Sequence, residues 1–371
     1  MKKFAPTPNG SRFHSFRSLG TPILFTFICH YSTTPVTADV NSQHLVNWHG
    51  AAADLILEED TIFGDDVTGG VYGNAVDIAL DSHGSVYVVD QGFNKVHKHS
   101  ASGELIFSFG TEGDGPGDLR QPNAIAIGPD DRIYIGGLSP QIAIFDSNGV
   151  TSGSFRLVQD AIGSQVQALA VDSLGYIYAC YVNVLQQKVM GKYSPHDYTL
   201  IKSFGDTYAV GLDIDTRAER VFGGGTLSID SAGHILYAQK VPPLVRAYSL
   251  EGDLLNEYHI RASDTPIPEP VIDGTSITFY TPEIFSDRII ASMSHGFFVA
   301  LITPDKENEG TSFVGVVTLD LYDEQGHLKK TATREWPFFP RCTDSKQRLY
   351  TIEYRTIDEE EIPVVVRYSY D

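Results

Sequence analysis

Cysteine is nearly absent, with three in 371 residues. That excludes a disulfide framework and any cysteine-based zinc site. Positive charge is also short: 27 Lys and Arg stand against 47 Asp and Glu, a formal net charge of −20. Such a chain repels phosphate backbones and anionic lipid, so a nucleic-acid partner is not expected. Long apolar runs are missing too. The stretch PILFTFICHY, Pro22 to Tyr31, is about half the roughly 20 residues needed to span a bilayer, so stable membrane insertion is not expected. No long segment carries a helical stripe. There is no phosphate-binding loop, no dinucleotide fingerprint after a strand and no Gly-x-Ser-x-Gly elbow, which removes the common nucleotide and serine-hydrolase chemistries.

Two features are abundant: aromatics (20 Phe, 19 Tyr) and glycine (34), the composition of short strands separated by tight turns. Residues 1–38 read differently. Lys2, Lys3, Arg12 and Arg17 form a basic front without an acidic residue. The short apolar stretch follows, and Val36 and Ala38 fit a small-residue cleavage pattern before Asp39. This predicts a signal peptide over 1–38 and an exported protein, periplasmic or secreted. Ile28 before Cys29 argues against a lipid anchor. Cleavage would remove four positive charges, taking the net charge from −20 to −24. It would leave Cys180 and Cys342, both expected to be free.

The remainder, 39–371, is repetitive. One element is Asp, two residues, usually Gly, one residue, an aliphatic, then Tyr or a similar residue. It occurs as DSHGSVY (Asp81–Tyr87), GPDDRIY (Gly128–Tyr134), DSLGYIY (Asp172–Tyr178), DSAGHIL (Asp230–Leu236) and DSKQRLY (Asp344–Tyr350), with a blurred copy, SMSHGFF, ending at Phe298. Apolar segments flank each copy, so each reads as a hairpin in which Asp caps the turn and Gly accepts positive φ. A second element starts with an aromatic and a Ser or Asp turn: FDSNGV at Phe145, YSPHDYTL at Tyr193, YSLEGDLL at Tyr248 and YDEQGHL at Tyr322. HSASGELI at His99 has His in the aromatic place, and the sixth copy, at Tyr368, runs into the C-terminus. Two hairpins per unit make four strands, a propeller blade. The sixth unit lacks its last strand, while ADLILEEDTIFG (Ala53–Gly64) resembles the fourth strands ELIFSFG and KSFG. The predicted fold is therefore all-β: a six-bladed propeller of four-stranded antiparallel blades. The N-terminal strand completes the last blade and closes the ring, removing exposed edges.

The stretch NAVDIALDSHGSVYVVDQGFNKVHKHSASGELIFSFG resembles an NHL repeat, carried by Asp81, Gly84, Tyr87, Asp90, Asn94, Val96 and Gly103. The linker FGTEGDGPGDLRQPNAI resembles those of a bacterial group of six-bladed propellers. The likeness covers most of 64–260, fades over 261–335, where TPIPEPVIDG and DKENEG interrupt the pattern, and returns over 336–371. It implies a fold and leaves the function open. It also implies that the face carrying the second-to-third and fourth-to-first connections holds the site, and that Asp90 and Asn94 brace a loop. On that face lie the long connections Gly64–Gly73, Thr111–Pro122, Gly205–Gly225 and Asp264–Gly274.

Aligning the units places Val76, Asn123, Gln167, Gly225 and Phe339 at one equivalent position near the channel mouth, with Asp77 and Arg341 beside two of them. Asp77, Asn123, Gln167 and Arg341 are the candidate ligand-binding residues; the other role open to them is to satisfy backbone groups at the blade starts. No catalytic residue is assigned. A resemblance to zinc lyases with three histidines draws attention to His83, His234 and His295, but their registers differ and they fall on a solvated turn face, so zinc is not expected. Asp114 to Asp118 and Asp213 to Asp215 offer oxygen ligands for calcium without forming an EF-hand loop. The expectation is a monomeric, cofactor-free binding or scaffold module for a small polar ligand, a peptide or a partner protein. A metal-dependent lyase or hydrolase at the central channel is the alternative.

Overall fold

A computed structural model of the chain describes residues 52–64, 72–157, 165–183, 186–207, 224–266, 271–273, 276–278, 282–292, 296–305, 315–357 and 360–371. The predicted signal peptide, His295 and Asp213 to Asp215 lie outside them. Among the described residues there is no helix long and apolar enough to cross a membrane.

Six four-stranded antiparallel sheets follow in chain order. Their innermost strands are Ala75–Leu80, Pro122–Ile127, Ala168–Val171, Gly225–Ile229, Phe285–Ala291 and Phe338–Thr343. Blades one to five each supply their own remaining three strands. In blade six, Phe338–Thr343 pairs with Arg348–Ile357 and that strand with Glu360–Tyr370. The fourth place is taken by Leu57–Phe63, antiparallel to the C-terminal strand from Leu57↔Tyr370 to Phe63↔Val365. The ring closes as the repeat count requires. The N-terminus goes one step further: Ala53–Asp54 adds in parallel to Leu328–Glu335, the outer strand of blade five.

Side-chain alternation explains how the core is divided. Successive residues of a strand point to opposite faces, and each blade has a neighbour on both. In Val86–Asp90, Val86 and Val88 pack with Phe339, Tyr350 and Ile352 of blade six. Tyr87 and Val89 pack with Ile125, Ile133 and Ile135 of blade two. A strand covered on both faces is therefore uniformly apolar, as VYVV and IYI are. Six such wedges of buried side chains, one between each adjacent pair of blades, make up the core.

The turns work as their composition predicts. Asp172 Oδ1 accepts the amides of Leu174 and Tyr176, both at 2.9 Å, while Oδ2 accepts the buried Tyr178 hydroxyl at 3.0 Å. Asp81 and Asp344 repeat the arrangement with Tyr87 and Tyr350. The spacing of Asp and Tyr is thus one device that ties these three first hairpins to the wedge beneath them. Gly84, Gly175 and Gly233 take the left-handed residue of these turns, with φ of 80°, 87° and 83°.

Blade five, blurred in sequence, has the full four strands, and its middle strands are eight residues long. An added hairpin, Val271–Asp273 with Ser276–Thr278, precedes it. The cysteines among the described residues are both free, Cys180 in blade three and Cys342 in blade six. Burial pushes the Cys180 thiol up to about 12, so it is an inert core group.

Candidate functional site

The innermost strands start on the face carrying the fourth-to-first connections, and their first residues surround a cavity of about 160 Å³. Val76, Asn123, Gln167, Gly225 and Phe339, placed together by aligning the repeats, all line it, as does Arg341. Below, the channel continues between the inner strands of all six blades, past Ile78, Ile127, Val171, Ile229 and Ile290. Asp77 lines this lower part rather than the mouth. Of the four long connections expected on this face, only Thr111–Pro122 lies wholly within the described residues. It folds through a short parallel pair, Thr111–Glu112 with Asp118–Leu119.

The predicted residues turn out to be stitches between neighbouring blades. Asp77 of blade one accepts the Ile125 amide of blade two at 3.1 Å. Asn123 of blade two donates to the Val166 carbonyl at the start of blade three, at 3.0 Å. Gln167 of blade three accepts the Gly225 amide of blade four at 2.8 Å. Arg341 of blade six donates through Nε to the Val76 carbonyl of blade one at 2.9 Å. Each satisfies a backbone group that the gap between two sheets leaves without a ladder partner. One end of each amide is consumed in this way. Asn123 Oδ1 and Gln167 Nε2 have no partner among the described residues and remain at the cavity wall.

Sequence alignment missed the charged residues of blades four and five. Lys240, Asp287 and Arg288 line the mouth, together with the neutral Ser286. Arg288 reaches past blade six to Asp77 Oδ1 of blade one, at 2.5 Å. Asp287 Oδ2 accepts Arg341 Nη1 at 2.6 Å. Although burial disfavours its charge, the guanidinium groups of Arg341 and Arg288 hold Asp287 below the usual carboxylate range. Burial lowers the Lys240 pKa, opposed by Asp287. The signal that could have found this cluster is the dipeptide Asp287–Arg288 at the start of an inner strand, where the other units carry no charge except Asp77 of blade one. Lys240 follows strand two of blade four, and no repeat feature marks it.

Other candidates resolve into structural roles. Asp90 accepts the Gly73 and Asn74 amides at 2.8 and 2.9 Å, and Asn94 Oδ1 accepts the Gln121 amide at 2.9 Å, the bracing that the repeat implies. Ser108, His97 and Asp90 line up by hydrogen bonds of 2.8 and 3.3 Å. Asp90 is fully buried and occupied by backbone amides, and the group opens on none of the cavities described above, so it braces the blade rather than forming a nucleophile. His83 and His234 are tied to Asp131 and Asp230 in surface turns. Asp114 pairs with Arg120, and Asp118 accepts Thr111 and the Gly115 amide. Among the described residues no three His, Cys, Asp or Glu gather as a metal site.

No protein-family profile matches the chain, and no curated protein matches it. Solved structures do. A member of the DUF4221 family from Bacteroides vulgatus superposes with a TM-score of 0.55 at 8% identity, over 86% of this chain and 99% of that one. The WD40 repeats of RRP9 give 0.51 at 11% identity, over 86% and 99%. A virginiamycin B lyase from Staphylococcus aureus gives 0.48 at 10% identity, over 85% and 99%. At these identities the first two, with TM-scores above 0.5, bear on the fold alone and agree with a β-propeller.

Proposed function

We propose that this chain is an exported propeller of NHL type that acts as a binding module, with the channel mouth as its recognition surface. The observation that carries this reading is convergence. All six blades contribute to one cavity, including polar groups with unspent hydrogen-bonding capacity: Asn123, Gln167, Arg288 and Arg341. A concave site with a few converging polar groups on a rigid frame is the usual form of a small-molecule site. Its size suits a small polar ligand or the end of a peptide. Binding is favoured over catalysis because the serine in the wall, Ser286, gives its hydroxyl proton to the Gln239 carbonyl at 2.7 Å. It is therefore not poised against a base.

The test is ligand-observed NMR of the purified mature protein with a panel of neutral sugars, amino acids, hydroxy acids and tripeptides. At least one compound is expected to bind, and Asn123→Leu, which fills the wall and removes its amide, should weaken that binding about tenfold or more. Binding indifferent to Asn123→Leu would contradict the assignment. So would stoichiometric zinc or calcium that stays through purification and is lost when channel residues are changed, which would point to the lyase or hydrolase reading.

A further inference from the structure

Two guanidinium groups at the channel mouth carry hydrogen-bond donors that the protein does not use. Arg288 is 8% exposed. Of its five N–H donors, one nitrogen, Nη2, bonds to Asp77. Its Nε is buried and has no hydrogen-bond partner. Arg341 spends Nε on Val76 and Nη1 on Asp287 and the Pro340 carbonyl, leaving Nη2 with no acceptor among the described residues. Its guanidinium also sits over the Phe339 ring, 5.1 Å from the centroid, which fixes its plane.

Each guanidinium is also anchored by a carboxylate, Arg288 by Asp77 and Arg341 by Asp287, which holds its remaining donors in place. A buried donor left unmade costs about 1–3 kcal/mol, and more when it is charged. Such a group calls for an explanation, and a ligand seated in the mouth would supply one. Arginine forks match a carboxylate in shape as well as charge.

From this geometry we infer that the channel mouth binds a small carboxylate. Its oxygens take the free donors of Arg288 and Arg341, and a hydrogen-bonding body lies against the open amide ends of Asn123 and Gln167. The cavity is close in size to one that holds a benzene molecule, roughly 150 Å³. The enclosed part has room for a carboxylate and a few heavy atoms beyond it, as in a hydroxy, keto or amino acid. The inference rests on the channel mouth being the recognition surface, and it adds the charge and class of the ligand.

The probes are lactate and its neutral amide, lactamide, titrated into the mature protein. The readouts are the ¹⁵N–¹H signals of the arginine Nε groups and the change in Tm. Lactate should shift two Nε signals and bind with Kd of about 1 mM or tighter, a reasonable ceiling for so few atoms. Lactamide should bind at least tenfold more weakly. Arg288→Lys keeps a cation for Asp77 but deletes Nε; it should remove one of the two signals and weaken lactate about tenfold. Gln167→Leu leaves both arginines in place and should weaken lactate less. If lactamide binds as well as lactate, the carboxylate assignment is wrong while the recognition surface stands. If lactate binds but neither Nε signal moves, the carboxylate lies elsewhere and the inference fails. If neither probe moves a signal, the inference fails, and the broader ligand panel decides whether the surface fails with it.

Discussion

His99 shows how a single departure from the repeat carries physical information. The other five units place Phe145, Tyr193, Tyr248, Tyr322 or Tyr368 where blade one has His99. The ring is fully buried and bonded at both nitrogens, to the Tyr72 hydroxyl at 2.8 Å and the Gly103 carbonyl at 3.0 Å. Burial lowers its pKa to about 4, with nearby His97 adding to the shift and the Gly103 carbonyl opposing it. The neutral ring is therefore the folded form. Between about pH 6.5 and pH 4 the unfolded chain binds the proton that the folded chain refuses. The contribution of His99 is whole above pH 6.5 and is lost as pH falls toward 4, by at most about 3 kcal/mol. Denaturant titrations across that range should show a steeper fall in stability for the natural chain than for His99→Gln. Equal slopes would contradict the assignment. Asp81 and Asp90 do not confuse the measurement. Burial disfavours their charge, but hydrogen bonds to each more than compensate and hold both below 3.8, so their contributions fade only at lower pH.

At the level of elements, the hairpin device was legible because its residues do one job at fixed spacing. Asp172 must cap the turn and also meet Tyr178, which fixes the interval between them. Asp172→Ala should cost about 1–3 kcal/mol, since it strands two turn amides and one of the two bonds of a buried hydroxyl. Asp172→Asn should cost less, and chemical denaturation of both variants checks the order. The channel mouth was only partly legible. Asn123 and Gln167 emerged because their units align cleanly. Arg288, Asp287 and Lys240 did not, because blade five departs from the repeat and the lysine follows a strand that carries no registering motif. Sequence periodicity reports which positions face a wedge. It says nothing of a side chain that crosses to a blade two places away, as Arg288 does in reaching Asp77. For the same reason the alignment set Asp77 beside the mouth, whereas its carboxylate lies lower and is held between Arg288 and the Ile125 amide.

For the molecule as a whole, closure matters most, because it places the first and last blades side by side and so completes the channel mouth. Blade six meets blade one through Phe63, Tyr72, Phe339 and Tyr350, and Arg341 bonds across that seam. The N-terminal strand is held by more than its ladder. Arg367 of the C-terminal strand bonds Asp60 at 2.6 Å and the Ala101 carbonyl of blade one at 2.7 Å, joining three parts of the ring through one side chain. The most direct test is a covalent link across the closing pair. Glu58 and Ser369 are exposed and directly opposed. With both changed to cysteine in a Cys29→Ser background, mild oxidation should give an intramolecular disulfide and a higher Tm. Failure to link, or links only between molecules, would mean that the N-terminal strand does not lie beside the C-terminal one, and the closed six-bladed ring would be wrong.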